Sequence, residues 1–440
     1  MKNPLRIGVV GLGTVGAALV GALATNAPLL ASRCGRPLSV TAVSARDKNR
    51  DRGISLEGIA WFDDPVALAQ SPEVDCVVEL MGGADGVAKA VVKAALSLGK
   101  SVVTANKALL ARHGTALVTL AEAKGAQLNF EASVAGGIPI VKTLRESLAG
   151  NVVTRVSGIL NGTCNYILSR MELEGLTFAD CLADAQRLGY AEADPTFDVG
   201  GFDTAHKLSI LTSLAFGTEI DSDAVYVEGI ASITPLDLTM ADELGYRIKL
   251  LGVAERTSTG IEQRVHPTMV PKNWAIAQVM GVTNAVSVLA EPVGELTLVG
   301  PGAGGNATAS SVLSDLADIA RNIHVAPLGV PASALSHGDR APMQRHEGGY
   351  YIRLTVRDRP GAAAGIATRM AEQMISLESI VQKRAAASRM ADPAGKSGAP
   401  VPVVLITYAT SENAIRAALD AVMADGHIAE PPQLIRIERG

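Results

Sequence analysis

The sequence predicts an α/β protein in three parts: a doubly wound parallel sheet, an α+β middle domain, and a C-terminal domain of βαββαβ order. Three observations carry this. Through residues 1–145, short β-branched runs alternate with helix-like segments, the pattern of a parallel sheet with crossover helices. After that the alternation breaks and strands come in adjacent runs. A stretch rich in Pro, Gly and charge, 331–348, then separates a last strand–helix–strand–strand–helix–strand series, 349–440. With 440 residues, 48% hydrophobic and 19% charged, the chain can bury several large cores. A net charge of −5 and 3% aromatic residues leave no footprint for nucleic acid. Cys34, Cys76, Cys164 and Cys181 lack metal-ligand spacing and read as reduced thiols of a cytoplasmic protein.

The first strand, "RIGVV", runs into "GLGTVG" and then the helix-like "AALVGALAT". Strand before and helix after make this G-x-G-x-x-G a dinucleotide-binding loop of the Rossmann type. Gly11 permits the tight turn, Gly13 lets the backbone approach a pyrophosphate, and Gly16 lets helix and strand pack closely. Leu12, Thr14 and Val15 fill the loop between them, and the helix N-terminus offers its N–H groups to phosphate. Basic residues ahead of an apolar run superficially resemble a secretory signal, but the glycine spacing fits the nucleotide loop better. No run of eighteen apolar residues predicts a membrane span.

The second strand, "LSVTAVSA", ends at Arg46-Asp47. An arginine there suits a 2′-phosphate and an acid suits a free ribose, so NADP is favoured and NAD stays open. "VDCVVELMGG" reads as a strand, "VAKAVVKAALSLG" as a helix, and "KSVVTANKALL" as a strand opening into a loop. Gly82, Thr104 and Lys107 therefore fall at strand C-terminal ends, where ligands of such sheets bind. "AQLNFEASVAGGIPIV" continues the series, and a later glycine cluster containing Gly304, "GPGAGGNAT", returns to the cofactor so that 301–330 completes the nucleotide domain.

In the middle domain, 146–300, "VVTRVSGILNGTCNYILSRME" reads as strand, polar turn and helix. From Gly201, "GFDTAHKLSILTSLAF" reads as a helix apolar on every side, which is a buried helix. It nevertheless carries Lys207, with Asp203 four residues earlier on the same face. The pair is either a surface ion pair or a buried lysine held by a carboxylate for proton transfer. Glu192, Asp194 and Asp198 precede it, Asp194 before a proline in a turn position.

The chain resembles homoserine dehydrogenases over nearly its full length, in the long form with a C-terminal ACT-type domain. The resemblance rests on "GLGTVG", "ELMGG", "TANKALL", "FEASVAGGIPI", "GILNGTCNYI", "GYAEADPTFDVGGFDTAHKLSIL", "LGYRIKLLG" and "GPGAGGNAT" in order. It implies NAD(P)-dependent interconversion of L-homoserine and L-aspartate 4-semialdehyde, on the route to threonine, methionine and isoleucine. By motif, Lys207 matches the acid–base lysine and Asp203 its partner. Lys107 matches a second lysine between nicotinamide and substrate. Glu192, Asp198, Gly162 and Thr163 match substrate-binding positions, with Asn161 in the same turn. Glu131, with Val134, Gly136 and Ile138, matches a monovalent-cation site for an ion such as Na+. A homodimer or homotetramer is implied. Two other functions fit the same residues: a dehydrogenase of another amino-acid semialdehyde, and a catalytically silent NADP-binding amino-acid sensor.

At the C-terminal end, "DRPG" after the first strand (Asp358-Arg359-Pro360-Gly361) strengthens the resemblance to an ACT-like domain that senses an amino-acid effector, threonine first. His346 and His427 read as surface residues.

Overall fold

The computed structural model describes residues 3–382 and 400–438. The first unit is a wholly parallel sheet of β1 (Leu5–Val10), β2 (Leu38–Ser44), β3 (Ala60–Trp61), β4 (Cys76–Glu79), β5 (Ser101–Thr104) and β6 (Leu128–Asn129). Their order, β3-β2-β1-β4-β5-β6, switches direction between β1 and β4 and opens a crevice at the carboxyl ends of those strands. Val9, Val78 and Val103 are fully buried, because helices cover both faces of the sheet. The helix Gly305–Arg321 packs along the helix Thr14–Thr25, and its Val312 and Leu316 share a core with Leu19 and Leu23.

The remaining strands are β7 (Val152–Ile159), β8 (Tyr226–Val227), β9 (Tyr246–Thr257), β10 (Gly260–Pro271), β11 (Thr283–Glu291), β12 (Gly294–Pro301), β13 (Glu347–Arg357), β14 (Leu377–Gln382), β15 (Pro400–Thr407), β16 (Thr410–Ser411) and β17 (Gln433–Ile437). They form one mixed sheet in the order β12-β11-β7-β9-β10-β17-β13-β15-β14, with β8 on β10 and β16 on β13. The helix Phe202–Phe216 lies across β7, β9 and β10, which buries most of its circumference, as its all-round apolar sequence requires.

At the C-terminal end the chain follows strand β13, helix Ala362–Glu372, strands β14 and β15, helix Glu412–Ala424 and strand β17. The sequence reading of residues 383–399 lies outside the described residues. The last strand does more than finish this unit. It pairs in parallel with β10, Thr268 opposite Arg436 and Met269 opposite Ile437, so the sheet runs unbroken into the middle of the molecule. The Pro- and Gly-rich stretch before β13 is also anchored. Glu219 N donates to Ser336 O at 2.8 Å, Ile261 N to Asp339 O at 2.7 Å, and Ala341 N to Ile261 O at 3.0 Å.

His346 is not the surface residue its sequence context suggested. Its side chain is 12% exposed and its Nδ1 lies 2.9 Å from the buried Glu262 carboxylate. His427 is partly buried. Among the described residues, no single helix is long and apolar enough to cross a membrane.

Candidate functional site

The glycine loop has the shape its sequence requires. Gly11 has φ +98°, and a Cβ there would meet Leu80 O at 2.7 Å. A Cβ on Gly16 would lie 2.0 Å from Gly11 O, so the close helix–strand packing tolerates no side chain. Gly13 faces open space, with nothing within 4 Å of a Cβ. Leu12 is buried in the core, Val15 is partly buried, and Thr14 begins the helix. Gly304 precedes the helix Gly305–Arg321, and a Cβ on Gly305 would stand 3.0 Å from Thr14 Cγ2. The two glycine clusters thus meet at one crevice. Arg46 is exposed just past β2. Arg52, not singled out in the sequence, donates from Nε to Leu12 O at 3.1 Å and also bonds the Asp47 and Arg50 carbonyls. It clamps the loop carrying Arg46 onto the glycine loop.

A second residue missed in the sequence organises the next two strand ends. Glu79 is fully buried at the end of β4. Its Oε1 accepts from Met81 N at 2.7 Å and Gly82 N at 3.3 Å, and its Oε2 accepts from Thr104 Oγ1 at 2.7 Å. Thr104 Oγ1 in turn accepts from Asn106 N at 3.0 Å. Asn106 caps the following helix by accepting from Leu109 N at 3.1 Å and donates to Gly83 O at 2.7 Å. The available signal was a lone acid closing an otherwise apolar strand. The loop expected after β5 is only two residues long, and Lys107 is the first residue of the helix Lys107–Ala123. With a capped first turn beneath it, the base of Lys107 is fixed. Its side chain, 34% exposed, reaches Asp203 Oδ1 at 3.0 Å.

Asp203 joins the two halves of the site. Its Oδ2 accepts from Lys207 Nζ at 2.7 Å and from Asn161 Nδ2 at 2.9 Å, so both oxygens are engaged. Lys207, 11% exposed, also donates to Leu160 O at 2.7 Å. Asn161 caps the helix Gly162–Glu174 through Cys164 N at 2.8 Å while its amide reaches Asp198 Oδ1 at 2.8 Å. Burial pushes the Asp203 carboxyl upward, but the Lys207 and Lys107 ammonium groups outweigh it and hold Asp203 well below the usual carboxylate range. Asp198 moves the other way: burial, then the charge of Asp203, raises it. Burial, with the charge of Lys107, pushes the His206 imidazole down, and its ring packs edge-on against Phe197 at 5.3 Å. His206 was not among the residues expected.

The remaining substrate candidates are less tightly gathered. Thr163 Oγ1 donates to Tyr190 O at 2.6 Å, tying the chain before Glu192 to this helix N-terminus. A Cβ on Gly162 would meet Val282 O at 2.7 Å. Glu192 itself is exposed, and among the described residues its carboxylate makes no ion pair with the lysines.

Glu131, Val134, Gly136 and Ile138 lie where the chain leaves β6. Buried Glu131 accepts from Val141 N and Lys142 N, each at 2.8 Å, and its own N–H donates to Asp315 Oδ2 at 2.9 Å. Gly136 O accepts from Ser311 Oγ at 2.6 Å. Burial, then the charge of Glu131, pushes the Asp315 carboxyl up to about 8. Among the described residues no cluster of three His, Cys, Asp or Glu side chains could hold a metal ion. Any cation here would depend on the Glu131 carboxylate together with backbone carbonyls, an all-oxygen set suited to a hard ion.

The family description "Homoserine dehydrogenase, NAD binding domain" matches residues 11–131, and "Homoserine dehydrogenase" matches 139–317. The curated homoserine dehydrogenase of Pseudomonas aeruginosa is 45% identical over 445 residues, covering 99% of both chains. The chain belongs to the homoserine dehydrogenase family. Its chemistry is accordingly that of an NAD(P)-dependent oxidoreductase. A solved homoserine dehydrogenase from Thiobacillus denitrificans superposes with a TM-score of 0.91 at 41% identity, covering 99% of this chain and 98% of that one. A hyperthermophilic archaeal homoserine dehydrogenase in complex with NADPH aligns with a TM-score of 0.63 at 27% identity. It covers 73% of this chain and 99% of its own, so this family also includes shorter chains.

The raised Asp198 carboxyl makes a pH prediction. Protonation of Asp198 removes its charge as pH falls, and that loss begins above the ordinary aspartate value of ~3.9. If Asp198 holds the substrate, the acid limb of kcat/KM in the reduction direction, where Lys207 starts protonated, should therefore lie above that value. In Asp198→Asn that limb should vanish, leaving a low profile that is flat on the acid side; persistence of the limb would assign it to another group.

Proposed function

We propose that Lys207 transfers the proton in the interconversion of L-homoserine and L-aspartate 4-semialdehyde, a step serving threonine, methionine and isoleucine formation. One observation carries this reading. Lys207 Nζ spends two of its three donor directions on Asp203 and Leu160 O, leaving one for a substrate oxygen. In the oxidation direction the neutral amine takes the hydroxyl proton; in reduction the ammonium returns it to the forming alcohol. The bound nicotinamide supplies the hydride chemistry. Lys107 sits between that crevice and the shared carboxylate, where it can orient the substrate's reacting end. Asp198 and the exposed Glu192 receive the hydroxyl and ammonium groups, with Gly162 and Thr163 shaping the entry.

NADP is the favoured nucleotide, since Arg46 stands exposed beyond β2 and Arg52 fixes its loop. Glu131 with the carbonyls of Val134, Gly136 and Ile138 would hold a monovalent cation such as Na+, which would stiffen this turn without entering the reaction. A homodimer or homotetramer is supported by Leu289 on β11 and Val299 on the edge strand β12, both exposed.

The direct test is Lys207→Ala. Turnover should fall by roughly 10²–10⁴-fold while NADP still binds, the usual range for a lost acid–base group. Near-normal kcat would end this reading, and homoserine turnover by the wild type separates it from the semialdehyde and silent-sensor alternatives.

The C-terminal unit, from about residue 349, fits an ACT-type regulatory domain with threonine as its effector. A small cavity of about 90 Å³ lies beside Val356, Asp358, Arg359, Ala362, Ile366 and Ile380, at the "DRPG" turn. Inhibition by threonine requires differential affinity between two states, about 1.4 kcal/mol for a tenfold effect. Ile366→Phe, which would fill that cavity, should abolish threonine inhibition of the full-length chain and leave uninhibited turnover intact. Undiminished inhibition would place the effector elsewhere.

A further inference from the structure

Strand β17 carries Arg436 to the seam where the C-terminal unit meets the middle of the sheet. Its guanidinium is 2% exposed and lies between two carboxylates from opposite sides of that seam. On the C-terminal side, Arg436 Nε donates to Glu412 Oε2 at 3.1 Å. On the other side, Nη2 donates to Glu228 Oε1 at 3.1 Å and Nη1 bonds Glu228 Oε2. The Tyr226 hydroxyl also donates to Glu228, and the guanidinium sits 5.3 Å from the Tyr226 ring centroid. Arg416 joins from the helix Glu412–Ala424. A bidentate, nearly dry arginine of this kind fixes geometry as well as charge.

The segment it grips is packed directly against the substrate side of the site. Ile230 N donates to Val199 O at 3.0 Å, one residue past Asp198. A Cβ on Gly229 would strike Val199 O at 2.4 Å and Gly200 Cα at 2.9 Å, so the two backbones touch. Gly201, at φ +88°, leaves a Cβ position 3.0 Å from Val227 Cγ1 and 3.4 Å from Glu228 O. Gly201 N also donates to Asp198 O at 2.9 Å, and Asp203 follows two residues later.

We infer that Arg436 and Glu228 are positioning residues for the reaction: they press Tyr226–Ile230 against Val199–Gly201 and so set Asp198 relative to Asp203 and Lys207. The inference rests on the substrate role proposed above for Asp198. The nucleotide crevice is built from other elements and takes no part in this contact. A change at the seam therefore alters substrate affinity selectively.

The test uses the full-length chain with Arg436→Met, Arg436→Lys and Gly229→Ala. In Arg436→Met, KM for homoserine should rise by roughly three- to thirtyfold, the size of effect seen when coupling between sites is disturbed. KM for the nucleotide should stay unchanged, and Arg436→Lys should recover part of the loss. Gly229→Ala removes no charge but wedges the same contact, so it should reproduce the substrate effect and decides the matter if Arg436→Met does not fold. An equal rise in both KM values, or an unchanged homoserine KM in Gly229→Ala, would overturn the inference. A wild type without homoserine turnover would bring down the site reading, and this inference with it; unchanged KM in an active protein overturns this inference alone.

Discussion

The Asp203 carboxylate, shared between Lys207 and Lys107, is the interaction on which the site depends. It puts a negative charge at 4% exposure near the start of a helix whose other buried positions are apolar or small. Left alone, such a charge would be neutralised or would unfold the helix, and removing one partner of a buried pair typically costs about 3–5 kcal/mol. Two ammonium groups and an asparagine amide keep it ionised. The arrangement also works in reverse. The carboxylate draws a lysine from the nucleotide side and a lysine from the substrate side to one point, and each lysine loses freedom by being held there.

Everything around that point holds its members still. Two asparagines play parallel parts: Asn106 and Asn161 each cap a helix with the side-chain oxygen and use the amide to tie down a neighbour. Glu79 fixes the strand ends on the nucleotide side. On the substrate side, the fixing extends through Glu228 to Arg436, near the far end of the chain. Opposite shifts at Asp198 and Asp203, five residues apart, follow from position: burial raises both, but at Asp203 two lysines at close range outweigh it, whereas at Asp198 the charge of Asp203 adds to it. Two acids whose environments push their titrations apart can hold different protonation states at one pH.

The parallel sheet was legible because its signals are local: β-branched runs, a glycine loop, and alternation with helices. The Lys207–Asp203 pair was legible because spacing of four on one helix puts side chains together. What local pattern could not reveal was pairing at a distance. Lys107 and Asp203 meet across about a hundred positions, and Glu79 meets Thr104 across two different strands. Arg436 gave no signal at all, since an arginine in a terminal strand normally reads as solvated. The same limit explains why the anchoring of the 331–348 stretch to residues 217–219 and 261 went unseen, and why His346, paired with Glu262, was misread as a surface residue. Charges inside a sheet seam are invisible to periodicity, because only the partner strand tells that the position is dry.

The most direct measurement is a crystal structure of the full chain with oxidised nucleotide and homoserine bound. The account predicts the substrate hydroxyl oxygen within ordinary hydrogen-bond reach of Lys207 Nζ, about 2.7–3.2 Å, with the contacts to Asp203 and Leu160 O retained. A hydroxyl seated instead on Lys107 or on water, with Lys207 beyond reach, would contradict it.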